Sequence, residues 1–288
     1  MLDPAWAVTR PLLWLALAGL LVLLVLRSIR KDRREYQRFK RYRTTRKRQA
    51  MFRKWLLESF LTFAGLAVVL LMLAGAYVRP LLLELQGWAG ARDIGRLIAG
   101  DPGIAAGVVV GVVVALVVLT WIGISAARKE DDITTIGDIR AMLPRNRQEL
   151  VLGGALSVNA GVLEELMFRL ALPAVIYGAS GSAVAAVVVS LALFGALHLY
   201  QGVAGIVGTA VVGGLMMLLY VLSGTILLPI VAHVLFDLRS LVLLPVAIFG
   251  AHRVDGRKVP VVGVRGDSVP VVSVPVVSVP LDPVPPDV

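Results

Sequence analysis

Long apolar stretches alternate with short polar ones along most of this chain. Seven are long enough to be read as membrane-crossing helices, over residues 11–26, 56–78, 103–127, 149–177, 182–199, 203–222 and 225–249. A helix satisfies its own backbone hydrogen bonds in lipid, so repeated uncharged runs near 20 residues predict an all-α, polytopic membrane protein with about seven transmembrane helices. The first run has its positive charge after it rather than before it, with no small-residue cleavage site at its end before Arg27. That order predicts a retained anchor with its N-terminus outside, not a cleaved leader. Seven crossings from outside end inside, where Arg253, Arg257 and Lys258 follow the last run.

The polar connections differ in kind. Residues 79–102 form an outer loop of balanced charge, and 128–149 a cytoplasmic one with both signs. Gly103, Gly107 and Gly111 make a small-residue stripe on the third span, which suits close helix packing. Beyond residue 258 the chain turns to Val, Pro, Ser and Gly. Prolines this frequent exclude helix and central strand, so a disordered Val/Pro-rich tail is expected.

Composition agrees with a membrane protein: 58% of the 288 residues are hydrophobic and the mean hydropathy is +0.83. Cysteine is absent, which removes disulfides, a thiol nucleophile and thiolate metal sites. Any metal would rest on imidazole and carboxylate. The net charge of +10 is concentrated: 14 of the 29 Lys and Arg lie between Arg27 and Lys54, with only Asp32 and Glu35 against them. Aromatic residues are interleaved, as in nucleic-acid grooves. A cytoplasmic membrane flank explains the position without further assumptions, so anionic lipid head groups rather than nucleic acid are the expected contact.

Polar residues inside the apolar stretches carry the candidate chemistry, because ionisable groups are costly in a bilayer and tend to face a protein interior or a wet cavity. Three signals stand out: Glu164-Glu165-x-x-x-Arg169, Phe194-x-x-x-His198 and His233-x-x-x-Asp237. Glu165 and Arg169 share a helical face and can pair, while Glu164 is turned about 100° away and left free. His233 and Asp237 are also four apart, which suits a metal, an orienting hydrogen bond or a substrate-polarising pair. Each has a plainer reading: glutamates bracing a helix end, an interfacial histidine, a mutually satisfied buried pair. Three spans supplying Glu, His, His and Asp together point to a site.

These three motifs, in this order within apolar segments, resemble the CAAX prenyl protease 2 and bacteriocin-processing (CPBP, or Abi) family of intramembrane proteases. The resemblance covers residues 144–249 and leaves out the first three spans, the basic segment and the tail. With the pattern of apolar and polar stretches, the expected organisation is an anchor over 1–28, a basic cytoplasmic loop over 29–54, the second and third spans over 55–143, a protease core over 144–250 and the tail over 251–288. The resemblance implies hydrolysis of a peptide bond in a membrane-associated protein or peptide, lipidated or not. By position, Glu164 and His198 would activate water, His233 and Asp237 would stabilise the oxyanion or help hold a metal, and Glu165 with Arg169 would support them. Asp237 stands where Asn is common in the family pattern, and an ionised Asp cannot donate to an oxyanion. A divalent ion such as zinc, held by Glu164, His198, His233 and Asp237, is therefore the alternative to a metal-free mechanism.

Two other classes fit parts of the sequence: a proton-coupled transporter, for which no internal repeat is found, and a catalytically silent membrane scaffold or regulator. The expected location is the plasma membrane with the C-terminus cytoplasmic. If residues 148–155 lie at the interface, Glu164 is only about 12 Å deep. The site is then expected in the cytoplasmic half.

Overall fold

A computed structural model describes residues 2–129 and 139–256 of the chain. Its elements, in order, are α1 (Thr9–Arg27), α2 (Arg33–Lys40), α3 (Thr45–Ser59), α4 (Gly65–Ala74), α5 (Val78–Gly87), α6 (Ala89–Gly100) and α7 (Pro102–Lys129). After the undescribed stretch come α8 (Arg147–Glu165), α9 (Leu172–Ser180), α10 (Ala183–Leu197), α11 (Gly202–Ser223), α12 (Leu227–Leu238) and α13 (Leu244–Phe249). Among the described residues there is no strand.

Several helices run into one another through π turns, making five continuous stretches long and apolar enough to cross a membrane: Thr9–Lys40, Thr45–Gly87, Arg147–Ser180, Leu199–Ser223 and Leu227–Phe249. The third expected span is α7, 28 residues long. The fifth, α10, has 15 residues, which rise only about 22 Å against a hydrocarbon core of about 30 Å. The chain is an integral helical membrane protein whose exterior carries exposed apolar side chains such as Leu15, Val151 and Val203.

Two connections differ from expectation. The basic segment is not a loop: α1 continues through the π turn Ser28–Asp32 into α2, and the chain reverses over residues 41–44 into α3. The outer connection is also helical, since α5 continues to Gly87 and α6 follows. Pro80 does not stop α5, because it sits in the first turn, where an N–H would have no partner inside the helix. The expected anchor is part of the bundle. Leu13, Leu17, Leu20 and Leu24 form a fully buried stripe of α1 that belongs to the main core and packs on α9. The Val/Pro tail from residue 257 onward, and residues 130–138 of the cytoplasmic connection, lie outside the described residues.

Local chemistry fixes the start of α8. The Asn146 side chain accepts the Glu149 N–H at 3.0 Å, an N-cap. Glu149 is fully buried against Arg48, whose Nε and Nη2 both lie 3.1 Å from Oε2. Arg48 also donates to the carbonyls of Ala141 and Leu143, and its guanidinium sits 4.6 Å from the centre of the Phe39 ring. One residue of the basic segment is thus a structural bolt rather than a lipid contact, tying α3 to α8. At the other end of the bundle, Gly181 and Gly224 adopt φ of 72° and 68° and close the tight turns after α9 and α11.

Candidate active site

Helix α8 packs along α12, and glycine sets how closely. A Cβ added at Gly161 would lie 2.5 Å from Val234 Cγ2 and 2.9 Å from the Val234 backbone nitrogen. This contact, one turn before Glu165 and beside His233, brings the first and third motifs together.

Glu165 is completely buried and faces two cationic groups. Its Oε2 lies 3.0 Å from Arg169 Nε, the pairing expected from the spacing. Its Oε1 lies 2.7 Å from His233 Nδ1. A carboxylate only accepts, so Nδ1 carries a proton and Nε2 is the working nitrogen of His233. The orienting partner of His233 is therefore Glu165 on another helix, not Asp237 on its own, whose Oδ2 lies 3.8 Å away on the Nε2 side. Helical spacing placed Asp237 near the ring but said nothing about a residue 68 positions away.

Arg169 is held on three sides. Besides its ion pair with Glu165, it donates a hydrogen bond through Nη2 to the Gly213 carbonyl at 3.2 Å and stacks 4.6 Å from the centre of the Phe194 ring. A Cβ on Gly213 would collide with that ring at 2.8 Å. The residue ahead of the second motif's histidine thus packs against the first motif's arginine.

Glu164 points elsewhere, as its 100° offset requires. Its side chain is 18% exposed, and Oε2 lies 4.0 Å from His233 Nε2. His198 caps the end of α10, with Nδ1 2.9 Å from the Phe194 carbonyl. A carbonyl accepts, so here too Nδ1 bears the proton, leaving the Nε2 lone pair available. Glu164 thus faces His233 across a space that His198 also borders.

Glu164, His198, His233 and Asp237 all line one cavity of about 400 Å³. The sequence reading missed several of its other walls. Asn159, five positions before Glu164, lines it and donates to Ser59 at 2.6 Å. Its amide in an otherwise apolar run was a usable signal. Tyr200 lines it too, its ring edge-on to Tyr36 at 5.3 Å. Arg27, Asp32, Tyr36, Trp55 and Phe63 complete one side from the first two spans, and nothing in their local sequence announces a site more than 100 residues away. Chain segments outside the resemblance therefore build part of the chamber.

Four π-helical segments occur among the described residues, and three of them border this chamber. Ser28–Asp32, Phe60–Ala64 and Arg239–Leu243 contribute lining side chains, and Leu166–Ala171 follows Glu165 directly. Such turns tend to occur at functional sites.

The metal alternative has a geometric requirement, three or more donors converging on one point. Among the described residues no group of three His, Asp or Glu side chains is arranged to hold an ion. The residues as arranged do not fit a metal centre, and no step is routed through one.

A family model described as Type II CAAX prenyl endopeptidase Rce1-like matches residues 146–239. The match covers about a third of the chain and contains all six motif residues, from Glu164 to Asp237. Nothing matches among curated proteins or among solved structures. The match supports the resemblance carried by the three motifs and, in general terms, an intramembrane protease of the CAAX type acting on a membrane-associated protein.

Proposed function

We propose that the chain is an intramembrane endopeptidase that hydrolyses a peptide bond of a membrane-associated protein or peptide, with Glu164 as the general base. The observation carrying this reading is that Glu164, His198, His233 and Asp237 face a single cavity, while Glu165 and Arg169 are sealed beneath it. Two carboxylates with opposite surroundings suit opposite tasks. Glu165 is spent on holding Arg169 and His233, and Glu164 is left to move a proton.

In this reading a water hydrogen-bonds to Glu164 and to the free Nε2 lone pair of His198. Glu164 takes its proton as the oxygen bonds to the scissile carbonyl carbon. His233, in its protonated form, donates Nε2–H to the oxyanion, with Glu165 holding the opposite nitrogen. Asp237 faces the same Nε2 and steadies the charged ring. The proton on Glu164 passes to the departing nitrogen as the C–N bond breaks, giving a carboxylate and an amine. The apolar walls supplied by Trp55, Phe63, Leu156 and Phe236 suit an apolar segment beside the scissile bond.

Orientation follows from charge. The chamber shares its end of the bundle with the basic hairpin of α2 and α3, through Asp32, Tyr36 and Trp55. The positive-inside bias puts that end in the cytoplasm, with the N-terminus outside and the C-terminus cytoplasmic, in a plasma membrane. The test compares membrane peptides, by mass spectrometry, in cells carrying wild-type or Glu164→Gln protein. Cleavage products should fall by roughly 10²-fold or more, the contribution of a positioned base, with protein abundance unchanged. Full cleavage by Glu164→Gln would remove the base assignment.

A further inference from the structure

Helix α2 has two unlike faces. Glu35, Tyr36 and Phe39 are buried inward, and Tyr36 reaches the catalytic chamber. On the outer face a cleft of about 570 Å³ is lined by Ile29, Arg33, Arg34, Gln37, Arg38 and Arg41. Ile29, Arg33, Gln37 and Arg41 follow at four-residue steps, and Arg34 and Arg38 form a second row beside them. No carboxylate lines this cleft.

The nearby acids among the described residues are engaged elsewhere. Asp32 faces Arg27 and Lys31, Glu35 is held by Lys54 and Trp55, and Glu58 by Lys31. Among the described residues no ion pair engages Arg33, Arg34, Arg38 or Arg41. Four arginines thus line one groove with no counter-charge among the described residues.

The groove is also continuous with a lipid-facing surface. Val22, Val25, Leu26 and Ile29 are all exposed and lie at three- and four-residue steps that lead into Arg33. An apolar stripe running into an arginine cleft matches a molecule with acyl chains at one end and phosphate at the other.

We propose that this cleft is a binding site for an anionic phospholipid, with the head group between the two arginine rows and the acyl chains along Val22 to Ile29. The rise from Arg33 to Arg41 is about 12 Å, longer than one phosphate can bridge. A lipid carrying two phosphates, each on a guanidinium fork, is the chemistry that fills it. The bound lipid would steady α2 and, through its inner face, the Tyr36 wall of the chamber. The continuous acyl surface favours lipid over a soluble polyphosphate or a nucleic-acid strand. The site is a matter of binding and stands whether or not the chamber hydrolyses peptides.

The test uses the full chain purified in neutral detergent. Retention of added lipid is measured by native mass spectrometry for cardiolipin, phosphatidylglycerol and phosphatidylcholine. Two variants lose equal charge: one with Arg33, Arg34, Arg38 and Arg41 all changed to Gln, and one with Arg43, Arg46, Lys47 and Arg53 changed to Gln on the neighbouring exposed surface. Cardiolipin should bind the wild type at least about tenfold more tightly than phosphatidylglycerol, with phosphatidylcholine weakest. The cleft variant should lose that preference and the control variant should keep it. Equal loss in both variants would reduce the effect to diffuse charge and overturn the site. Inorganic pyrophosphate or an oligonucleotide displacing cardiolipin at equal concentration would overturn the lipid assignment.

Discussion

Glu165 is the residue on which fold and chemistry meet, and its removal separates the two. Glu165→Leu keeps side-chain bulk but leaves Arg169 charged, with its side chain 1% exposed. At the observed 3.0 Å, the lost attraction is about 5–6 kcal/mol at an effective dielectric near 20, an upper figure. Breaking a buried pair from one side costs about 3–5 kcal/mol in practice. Arg169 would then keep only the Gly213 carbonyl and the Phe194 ring. The reverse change, Arg169→Met, is milder, because Glu165 retains the His233 N–H at 2.7 Å. A hydrogen bond to a charged group is worth about 1.5–3 kcal/mol, so Arg169→Met should cost roughly 1–2 kcal/mol less than Glu165→Leu. The double variant removes both members of the ion pair and leaves the His233 Nδ1–H without its carboxylate acceptor. It should be more stable than Glu165→Leu alone by roughly 1–3 kcal/mol.

Thermal unfolding of the purified protein in detergent gives the stability order, and cleavage of a membrane peptide gives the activity. Both variants lacking Glu165 should be inactive, since His233 loses the group that fixes its tautomer. Arg169→Met should keep partial activity. Equal destabilisation by the two single changes, or additive costs in the double, would refute the account of Glu165 as a shared counter-ion.

Three further outcomes follow from the geometry. Gly161→Ala drives a Cβ against the Val234 backbone and should cost about 1–3 kcal/mol by overpacking, with activity falling as His233 shifts. Unchanged melting and cleavage in that variant would show that the α8–α12 contact is looser than described. Asp237→Asn should retain cleavage that chelators do not reduce, because among the described residues no three carboxylate or imidazole side chains are arranged to hold an ion. An inactive Asp237→Asn enzyme rescued by zinc would overturn the metal-free mechanism. Because the chain lacks cysteine, Ala160→Cys in the chamber wall gives a clean probe of access. Impermeant thiol reagents should label it from the cytoplasmic face, and labelling from the outer face alone would invert the orientation.

What the sequence determined by itself is local. Uncharged runs specify membrane helices, because backbone groups in lipid can be satisfied only within the segment. The four-residue spacing of Glu165 and Arg169 specifies their pairing, and the offset of Glu164 specifies that it faces elsewhere, because both follow from the pitch of one helix. The six candidate residues stand out for the same reason, as ionisable side chains in apolar surroundings. Local pattern misjudged the basic segment, where dense charge suggested a loop although nothing in it breaks a helix until residues 41–44. It also misjudged the partner of His233, for which spacing offered Asp237. Tertiary structure decided that Glu165 orients His233 across 68 residues, that Arg48 bolts the basic hairpin to α8, and that the first two spans wall the chamber. Those contacts depend on where small residues such as Gly161 and Gly213 let helices approach, and hence on packing between segments whose own sequences carry no record of each other.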